Sequence, residues 1–137
     1  MILVSACLVG LNCRYNGKSS SNNFILDLVK EGRAIPICPE QLGGLSTPRV
    51  PAEQIGQRIF GKDGSDLTID FQRGVIEALK FALLINCKKA ILKSKSPTCG
   101  TCKVYDGTFS NTLVDGDGMF ASALKNAGIE VLSEKDI

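Results

Sequence analysis

Short apolar runs alternate with amphipathic segments along this chain. Four of the runs are continuous rather than alternating, which is typical of parallel strands buried on both faces; they span residues 2–6, 34–37, 89–93 and 129–132. Apolar residues at helical spacing predict helices from Phe24 to about Gly32, over residues 69–86 and over residues 119–126. Strands that alternate with helices form a parallel sheet covered by helices. We therefore predict an α/β fold: one small Rossmann-like three-layer domain over residues 1–137, with a mostly parallel four-stranded sheet.

Two stretches interrupt this pattern. Glycine and proline residues between Pro39 and Ala52 predict a loop. Residues 57–60 then read as a short strand that turns back at an Asp–Gly hairpin over residues 62–65. Residues 94–118 are rich in Gly, Ser, Thr and Asp and predict a long loop that carries cysteines. Loops of that length in a compact domain are usually functional, so we expect part of the functional site here.

Composition narrows the class of protein. The chain has 137 residues, of which 44% are hydrophobic and 22% charged, as in an ordinary globular domain. A net charge of +2 provides no strong basic field for nucleic acid. No apolar run approaches the roughly 20 residues that span a bilayer, and residues 1–9 lack the features of a signal peptide. We therefore expect a cytoplasmic, reducing location without membrane association, where six cysteines indicate metal binding or catalysis rather than disulfides.

The chain contains no histidine, which excludes several kinds of site. Catalytic sites of the Ser–His–Asp and Cys–His types need an imidazole base. Metal ligands must then come from cysteine, carboxylate or backbone groups. Because a set of thiolate ligands selects zinc or an iron–sulfur cluster, the sequence predicts an inorganic centre of one of these two kinds.

Three cysteines follow three of the predicted strands. Cys7, Cys38 and Cys99 each lie in the polar loop after an apolar run. Ligands of parallel sheets collect at the carboxyl ends of the strands. We therefore expect these three thiolates to converge on one inorganic centre. A closed structural site uses four protein ligands, whereas three ligands leave a metal position open for a substrate.

The other cysteines are less well defined by the sequence. Cys13 lies six residues beyond Cys7 in the same loop. The sequence is compatible with three roles for Cys13: a fourth ligand, a catalytic thiol or a structural residue. Cys87, at the end of an amphipathic helix, is interpreted as a buried apolar residue. Cys102 forms a C-x-x-C spacing with Cys99, but the motif lies in a late loop rather than at a helix start, so we interpret Cys102 as incidental.

Several polar residues near these cysteines are candidates for chemistry. Glu40 is two residues from Cys38, so its carboxylate should reach the same cavity; the alternative is a solvated loop acid. The Ser96 hydroxyl could position a water, and the alternative for Ser96 is a serine that only serves a turn. Candidate substrate-binding residues are polar or aromatic side chains in the loops: Arg14, Arg49, Tyr105, Asp106 and Thr108. For the arginines, pairing with a nearby acid such as Glu53 is equally compatible with the sequence, and Asp106 could serve only a turn.

Seven motifs together make the chain resemble the thiouracil desulfidase family. They are Val4-Ser5-Ala6-Cys7-Leu8-Val9-Gly10, Cys13-Arg14-Tyr15, Cys38-Pro39-Glu40, Gly43-Gly44-Leu45, Pro48-Arg49, Ser96-Pro97-Thr98-Cys99-Gly100 and Tyr105-Asp106-Gly107-Thr108-Phe109. The resemblance extends from the first strand to the segment Gly128-Ile129-Glu130-Val131, so it covers nearly the whole chain. Two positions depart from the family pattern: Asn16 stands where Asp is usual, and Thr98 where Ser is usual.

The resemblance implies a 4Fe–4S cluster held by only three cysteines, and a hydrolytic, non-redox removal of sulfur from thiouracil-type bases or nucleosides. Carried over by motif, Cys38 and Cys99 are ligands, and Glu40 and Ser96 are the catalytic acid and serine. For the third ligand we favour Cys7 over Cys13, because Cys7 ends a strand. Some relatives act on thiolated tRNA through an extra domain; this nearly neutral single domain favours a small thiolated pyrimidine.

A second class of function uses the same residues without catalysis. Cys7, Cys13, Cys38 and Cys99 could enclose a zinc ion or hold a cluster in a structural or RNA-contacting module. Metal content separates the enzyme from the zinc form of this module, since the enzyme contains iron and that form contains zinc. The sequence does not define the oligomeric state.

Overall fold

A computed structural model describes residues 1–137. In chain order its elements are β1 (Ile2–Ser5), α1 (Asn23–Lys30), β2 (Ala34–Ile37), α2 (Pro39–Leu42), β3 (Ala52–Ile55), β4 (Arg58–Gly61), α3 (Thr68–Leu84), β5 (Lys89–Leu92), β6 (Lys103–Tyr105), β7 (Leu113–Asp115), α4 (Met119–Asn126) and β8 (Glu130–Ser133). A 3₁₀ turn over Ala6–Val9 follows β1. None of the helices combines the length and the apolar character that a bilayer crossing requires.

The central sheet confirms the predicted fold class. Its four strands are parallel and lie in the order β2-β1-β5-β8. One face packs against α3 and α4 through residues such as Leu3 and Leu92, and the other packs against α1 through Val4 and Ile91. Burial on both faces explains why the strands read as continuous apolar runs. Because β2, β1 and β5 are neighbours, the loops after these three strands meet at one edge of the sheet.

A short helix lies where the sequence predicts only a loop. Cys38 is extended and immediately precedes α2, and Pro39 occupies the first turn, where its missing N–H costs nothing. The helix ends at Gly43, so the glycines and prolines limit its length without preventing it. This correction matters because α2 carries Glu40.

The structure adds a hairpin before the predicted one. The turn joins β3 to β4 at Gly56, whose φ of +59° suits a residue without a Cβ. The Asp63–Gly64 turn lies where it was predicted: after β4 the chain turns back, the Gly61 N–H donates to the Ser65 carbonyl at 2.9 Å, and Phe60 forms an antiparallel bridge with Asp66. Within the predicted loop over residues 94–118, β6 and β7 form a second antiparallel hairpin.

Close packing between α2 and α3 fixes the helix that carries Glu40. A Cβ added at Gly74 would lie 1.8 Å from the carbonyl oxygen of Pro39 and 2.8 Å from the backbone nitrogen of Gly43. Both neighbours are backbone atoms and cannot move aside as a flexible side chain can. The two helices therefore approach closely only because position 74 is glycine.

We expect Gly74→Ala to destabilise the protein by about 1–3 kcal/mol, the usual cost of overpacking. This is opposite in sign to the ordinary effect in a helix interior, where alanine is the more stable residue by roughly 0.5–1 kcal/mol. Urea unfolding measures the difference, with the exposed Gln72→Ala of the same helix as control. Equal or greater stability of Gly74→Ala would contradict the close approach.

Candidate functional site

A cavity of about 380 Å³ opens at the carboxyl edge of the sheet. Its walls come from the loops after β1, β2 and β5, from β3, and from the loop between β6 and β7. Nine of the predicted site residues line this cavity: Cys7, Cys13, Arg14, Cys38, Glu40, Arg49, Ser96, Cys99 and Tyr105. Residues from positions 7 to 105 thus line one cavity, and the three cysteines that follow strands, Cys7, Cys38 and Cys99, are among them.

Four cysteines contribute thiols to the cavity. Cys7, Cys13 and Cys99 are buried, Cys38 is half-buried, and none of them forms a disulfide. The Cys38 thiol donates to the carbonyl oxygen of Cys13, at a sulfur–oxygen distance of 4.0 Å. Cys87 is also buried, but it lies outside the cavity and donates to the carbonyl of Lys89, and Cys102 is exposed. The interpretation of Cys87 as a buried apolar residue is confirmed.

Mutual contact and burial disfavour thiolates in this cluster. Contact with Cys38 lowers the pKa of Cys13, but contact with Cys7 and burial outweigh it and raise that pKa to about 11. The pKa of Cys38 is raised by contact with Cys13, then by burial and by the charges of Cys13 and Glu40. Burial is the main cause that raises the pKa of Cys99. Thiolates could accumulate here only around a positively charged centre, since binding a metal supplies the compensating charge and releases the protons.

The donor set fits an iron–sulfur cluster. Its donors are thiols without histidine, which is the soft ligand type that such clusters require. No three His, Cys, Asp or Glu side chains are arranged to bind a single metal ion, so the zinc alternative finds no support in the geometry.

Glu40 is held as an ion pair at the edge of this thiol cluster. Its Oε1 accepts a hydrogen bond from Arg49 Nε at 2.9 Å, and its Oε2 accepts one from the Thr98 hydroxyl at 3.0 Å. The two charged side chains are 16% and 8% exposed, so the pair is largely withdrawn from water. Thr98, one of the two departures from the family pattern, keeps the hydroxyl that this contact needs. The carboxylate is therefore fixed in both position and orientation.

Arg49 also ties the loop after β1 to α2 and to its own loop. Beyond Glu40, it donates to the carbonyl of Cys13 at 2.8 Å, and to the carbonyl of Ser46 and the hydroxyl of Thr47. The acid that it pairs with is Glu40 rather than Glu53. A role in substrate binding stays a prediction for Arg49, but most of its N–H donors already have protein partners, and its evident effect is to orient Glu40.

Ser96 caps the turn that presents Cys99. Its Oγ accepts hydrogen bonds from the backbone N–H groups of Thr98 and Cys99, at 3.1 and 3.0 Å. A hydroxyl has two acceptor lone pairs and one donor proton. With both lone pairs engaged, the hydroxyl proton remains the part of Ser96 that can act on a molecule in the cavity.

The other predicted substrate contacts divide into two groups. Arg14 lines the cavity, donates to the Ser20 hydroxyl at 3.1 Å and lies beside the Tyr15 ring. Asp106 and Thr108 are not among the lining residues; the Asp106 carboxylate accepts hydrogen bonds from the backbone N–H and hydroxyl of Thr108. These two residues shape the turn before Phe109.

The sequence reading did not name every residue that lines the cavity, and Glu53 and Phe109 are two that it missed. Glu53 extends from β3 into the cavity wall, and Phe109 belongs to the loop after Asp106. Phe109 lies in a quoted family motif and could have been noticed there. Glu53 follows no strand end and no periodic signal, so only its contacts identify it.

A further polar network closes the β5 side of the cavity. The Glu134 carboxylate accepts hydrogen bonds from the hydroxyl and backbone N–H of Ser94 and lies 3.5 Å from Lys93 Nζ. Burial raises the pKa of Glu134, but the bonds from Ser94 and the charge of Lys93 outweigh it, so that pKa lies below its ordinary value of 4.5. The network thus ties the loop after β5 to the end of β8.

We expect Glu134→Gln to lower the free energy of unfolding at neutral pH and to have a shrinking effect in acid. A carboxylate whose folded pKa is depressed stabilises the protein above its unfolded pKa and loses this effect as pH falls through the folded value. Urea unfolding at several pH values between neutral and about 3 checks this, with the exposed Glu130→Gln at the start of β8 as control. An effect of equal size at all pH values would contradict the ionic contribution.

Comparisons with known proteins agree on one family. The sequence model of the family described as 2-thiouracil desulfurase matches residues 2–136. An uncharacterized protein of Bacillus subtilis strain 168, YbbK, is 44% identical over 147 residues, which cover 100% of this chain and 97% of that protein. Among solved structures, the chain is similar to a 4Fe–4S-dependent thiouracil desulfidase, TudS, with a TM-score of 0.95 and 41% identity over 99% of this chain and 91% of the other.

Proposed function

The chain belongs to the 2-thiouracil desulfurase family, and from this premise we propose that it removes sulfur from thiouracil-type bases or nucleosides by hydrolysis, with a 4Fe–4S cluster as cofactor. The similarity to a 4Fe–4S-dependent thiouracil desulfidase over nearly the whole chain supports both the reaction and the cofactor. A thiolated tRNA is the less favoured substrate, because the chain carries a net charge of only +2.

The observation that carries this proposal is the convergence of three strand-end cysteines and one fixed carboxylate in a single cavity. We propose Cys7, Cys38 and Cys99 as the ligands, with Cys13 as the alternative to Cys7. The first three follow three adjacent strands of one sheet. Six free cysteines and an iron–sulfur cofactor suit a reducing compartment. We therefore propose that the protein is located in the cytoplasm.

A bound cluster with one iron free of protein ligands supplies a thiophilic Lewis acid for the sulfur of the substrate. The residues of the chain then handle the water and its protons. The Ser96 hydroxyl donates a hydrogen bond to the oxygen of a water and keeps its proton, since both of its lone pairs already accept from backbone N–H groups. Glu40 still has lone pairs beyond those used by Arg49 and Thr98, so it accepts a proton from that water.

The reaction is balanced without a redox partner. The water oxygen forms a bond to the thiocarbonyl carbon, the C–S bond breaks, and sulfur leaves as hydrosulfide. The proton taken up by Glu40 returns to the leaving group or to solvent. The products are the oxygenated base and sulfide, and no atom changes its oxidation state.

The test is an anaerobic assay of the reconstituted protein. The protein is loaded with iron and sulfide, desalted and mixed with 2-thiouracil or 4-thiouracil, and the release of sulfide and uracil is measured. We expect equal amounts of both products. Protein with a full cluster and no sulfide release would reject the proposed reaction, and bound zinc in place of iron would favour the non-catalytic module.

A further inference from the structure

Phe109 and the loop that holds it have a role that neither the fold nor the thiol cluster explains. Phe109 lines the cavity with its ring half-buried, and it belongs to neither of the two hydrophobic core clusters. A large aromatic side chain normally buries its area in a core. Its surface here faces a cavity instead, where it is free to contact a ligand.

The backbone at this position is held in an uncommon conformation. Phe109 has a φ of +55°, a left-handed value that a bulky residue rarely adopts. Such conformations persist only where the surrounding structure enforces them, and they cluster at functional sites. The conformation therefore requires a restraint, and the contacts of the loop identify one.

Glu53 provides the restraint. Its Oε1 accepts hydrogen bonds from the backbone N–H groups of Gly107, at 2.9 Å, and Phe109, at 3.1 Å. The loop is also pressed against β3, because a Cβ added at Gly107 would lie 2.3 Å from a side-chain carbon of Ile55. Because this one oxygen accepts hydrogen bonds from the residues before and after Thr108, it fixes the loop on both sides of Thr108.

We infer that the Phe109 ring is the surface on which the pyrimidine ring of the substrate stacks, and that Glu53 is the positioning residue that holds this ring in place. This inference rests on the proposed function and narrows its substrate to flat, aromatic thiocarbonyl rings. A pyrimidine presents a π face to an aromatic side chain whatever its substituents. Stacking therefore leaves the sulfur position free to vary, since it does not contact the edge of the ring.

The test compares two ligands that differ in aromaticity. Uracil is flat and aromatic, whereas 5,6-dihydrouracil has the same two carbonyl groups and N–H groups on a puckered ring. Equilibrium dialysis of both ligands against anaerobic, cluster-loaded protein gives their dissociation constants. We expect the wild type to prefer uracil, and Phe109→Leu to lose that preference with a roughly 5- to 100-fold weaker binding of uracil. The KM for 2-thiouracil should rise in parallel while kcat changes little.

The control and the second variant separate stacking from folding. Phe24→Leu changes an exposed phenylalanine outside the cavity and should bind both ligands as the wild type does. Glu53→Leu removes the acceptor and should raise KM as Phe109→Leu does, whereas Glu53→Gln keeps an amide oxygen that can accept both bonds and should restore the wild-type KM. If Glu53→Leu fails to fold, Phe109→Leu and Glu53→Gln still decide the question.

Unchanged binding of uracil by Phe109→Leu, or a wild type that binds dihydrouracil as tightly as uracil, would overturn the inference. If the wild type releases sulfide from thiouracil, and Phe109→Leu has the same dissociation constant for uracil and the same KM for 2-thiouracil, only the stacking is rejected. A loaded wild type that neither releases sulfide nor binds uracil rejects the proposed function itself, and the stacking with it.

Discussion

The Cys38→Ser variant is expected to lose its iron and all measurable desulfuration. Cys38 lies between the end of β2 and α2, in contact with Cys13 and beside Glu40. A serine hydroxyl is a hard, weakly acidic donor, whereas iron–sulfur clusters require soft thiolates. Iron should fall from about four atoms per chain to background after anaerobic reconstitution and desalting. Iron analysis, the visible absorption of the cluster and the sulfide assay measure the loss.

Variants of the other cysteines make this prediction specific. Cys99→Ser and Cys7→Ser should behave like Cys38→Ser, whereas Cys13→Ser should retain its iron. Cys102→Ser is the matched control, because that thiol is exposed and does not line the cavity. Iron retained by Cys7→Ser and lost by Cys13→Ser would assign the third ligand to Cys13. Iron retained by both Cys38→Ser and Cys99→Ser would reject the proposed centre.

The second large effect is expected from Glu40→Gln, which should lower kcat by roughly 100- to 10,000-fold, the usual contribution of a general base. Glutamine has nearly the same shape: its amide oxygen can still accept from Arg49 and its NH₂ group can donate to the Thr98 hydroxyl, but it cannot take a proton from water. The variant should keep its iron and change KM little. Sulfide release per iron-loaded protein measures the effect, and the exposed Glu77→Gln is the control.

Loss of the Glu40 charge also affects stability, and this has to be separated from catalysis. Glutamine leaves the guanidinium of Arg49, which is 8% exposed, without its anionic partner. Breaking a buried pair from one side costs about 3–5 kcal/mol. Glu40→Asp keeps the charge but withdraws the carboxylate by one methylene, so it should be more stable than Glu40→Gln and still slow. Wild-type kcat in iron-loaded Glu40→Gln would exclude Glu40 as the base.

The sheet and the position of the cavity follow from local sequence features. Continuous apolar runs identified all four strands of the sheet because both of its faces are covered. The cysteines after three of these runs then placed the site, since parallel strands end at a common edge. This reasoning needed only the order of the elements and not their side-chain packing.

The contacts that hold the site residues in place could not be predicted in the same way. Arg49 and Glu40 are nine residues apart, and the ion pair depends on how α2 and the following loop fold back on the Cys13 segment. The hairpin at Gly56 was missed because Asp63–Gly64 is the stronger turn signal. The conformations of Phe109 and Gly107 arise from contacts with β3 that lie more than fifty residues away along the chain.

The order of strands in the sheet has a consequence for the synthesis of the protein. Cys7 and Cys38 emerge from the ribosome early, but β5 enters between β1 and β8, and Cys99 emerges only after it. The turn around Cys99 is itself held by α4, whose Phe120 N–H donates to the Thr98 carbonyl at 2.8 Å. A nascent chain therefore has no complete set of ligands until the segment through α4 has been translated, and delivery of iron and sulfide has to follow the folding of the sheet strands β1, β2 and β5 together with α4.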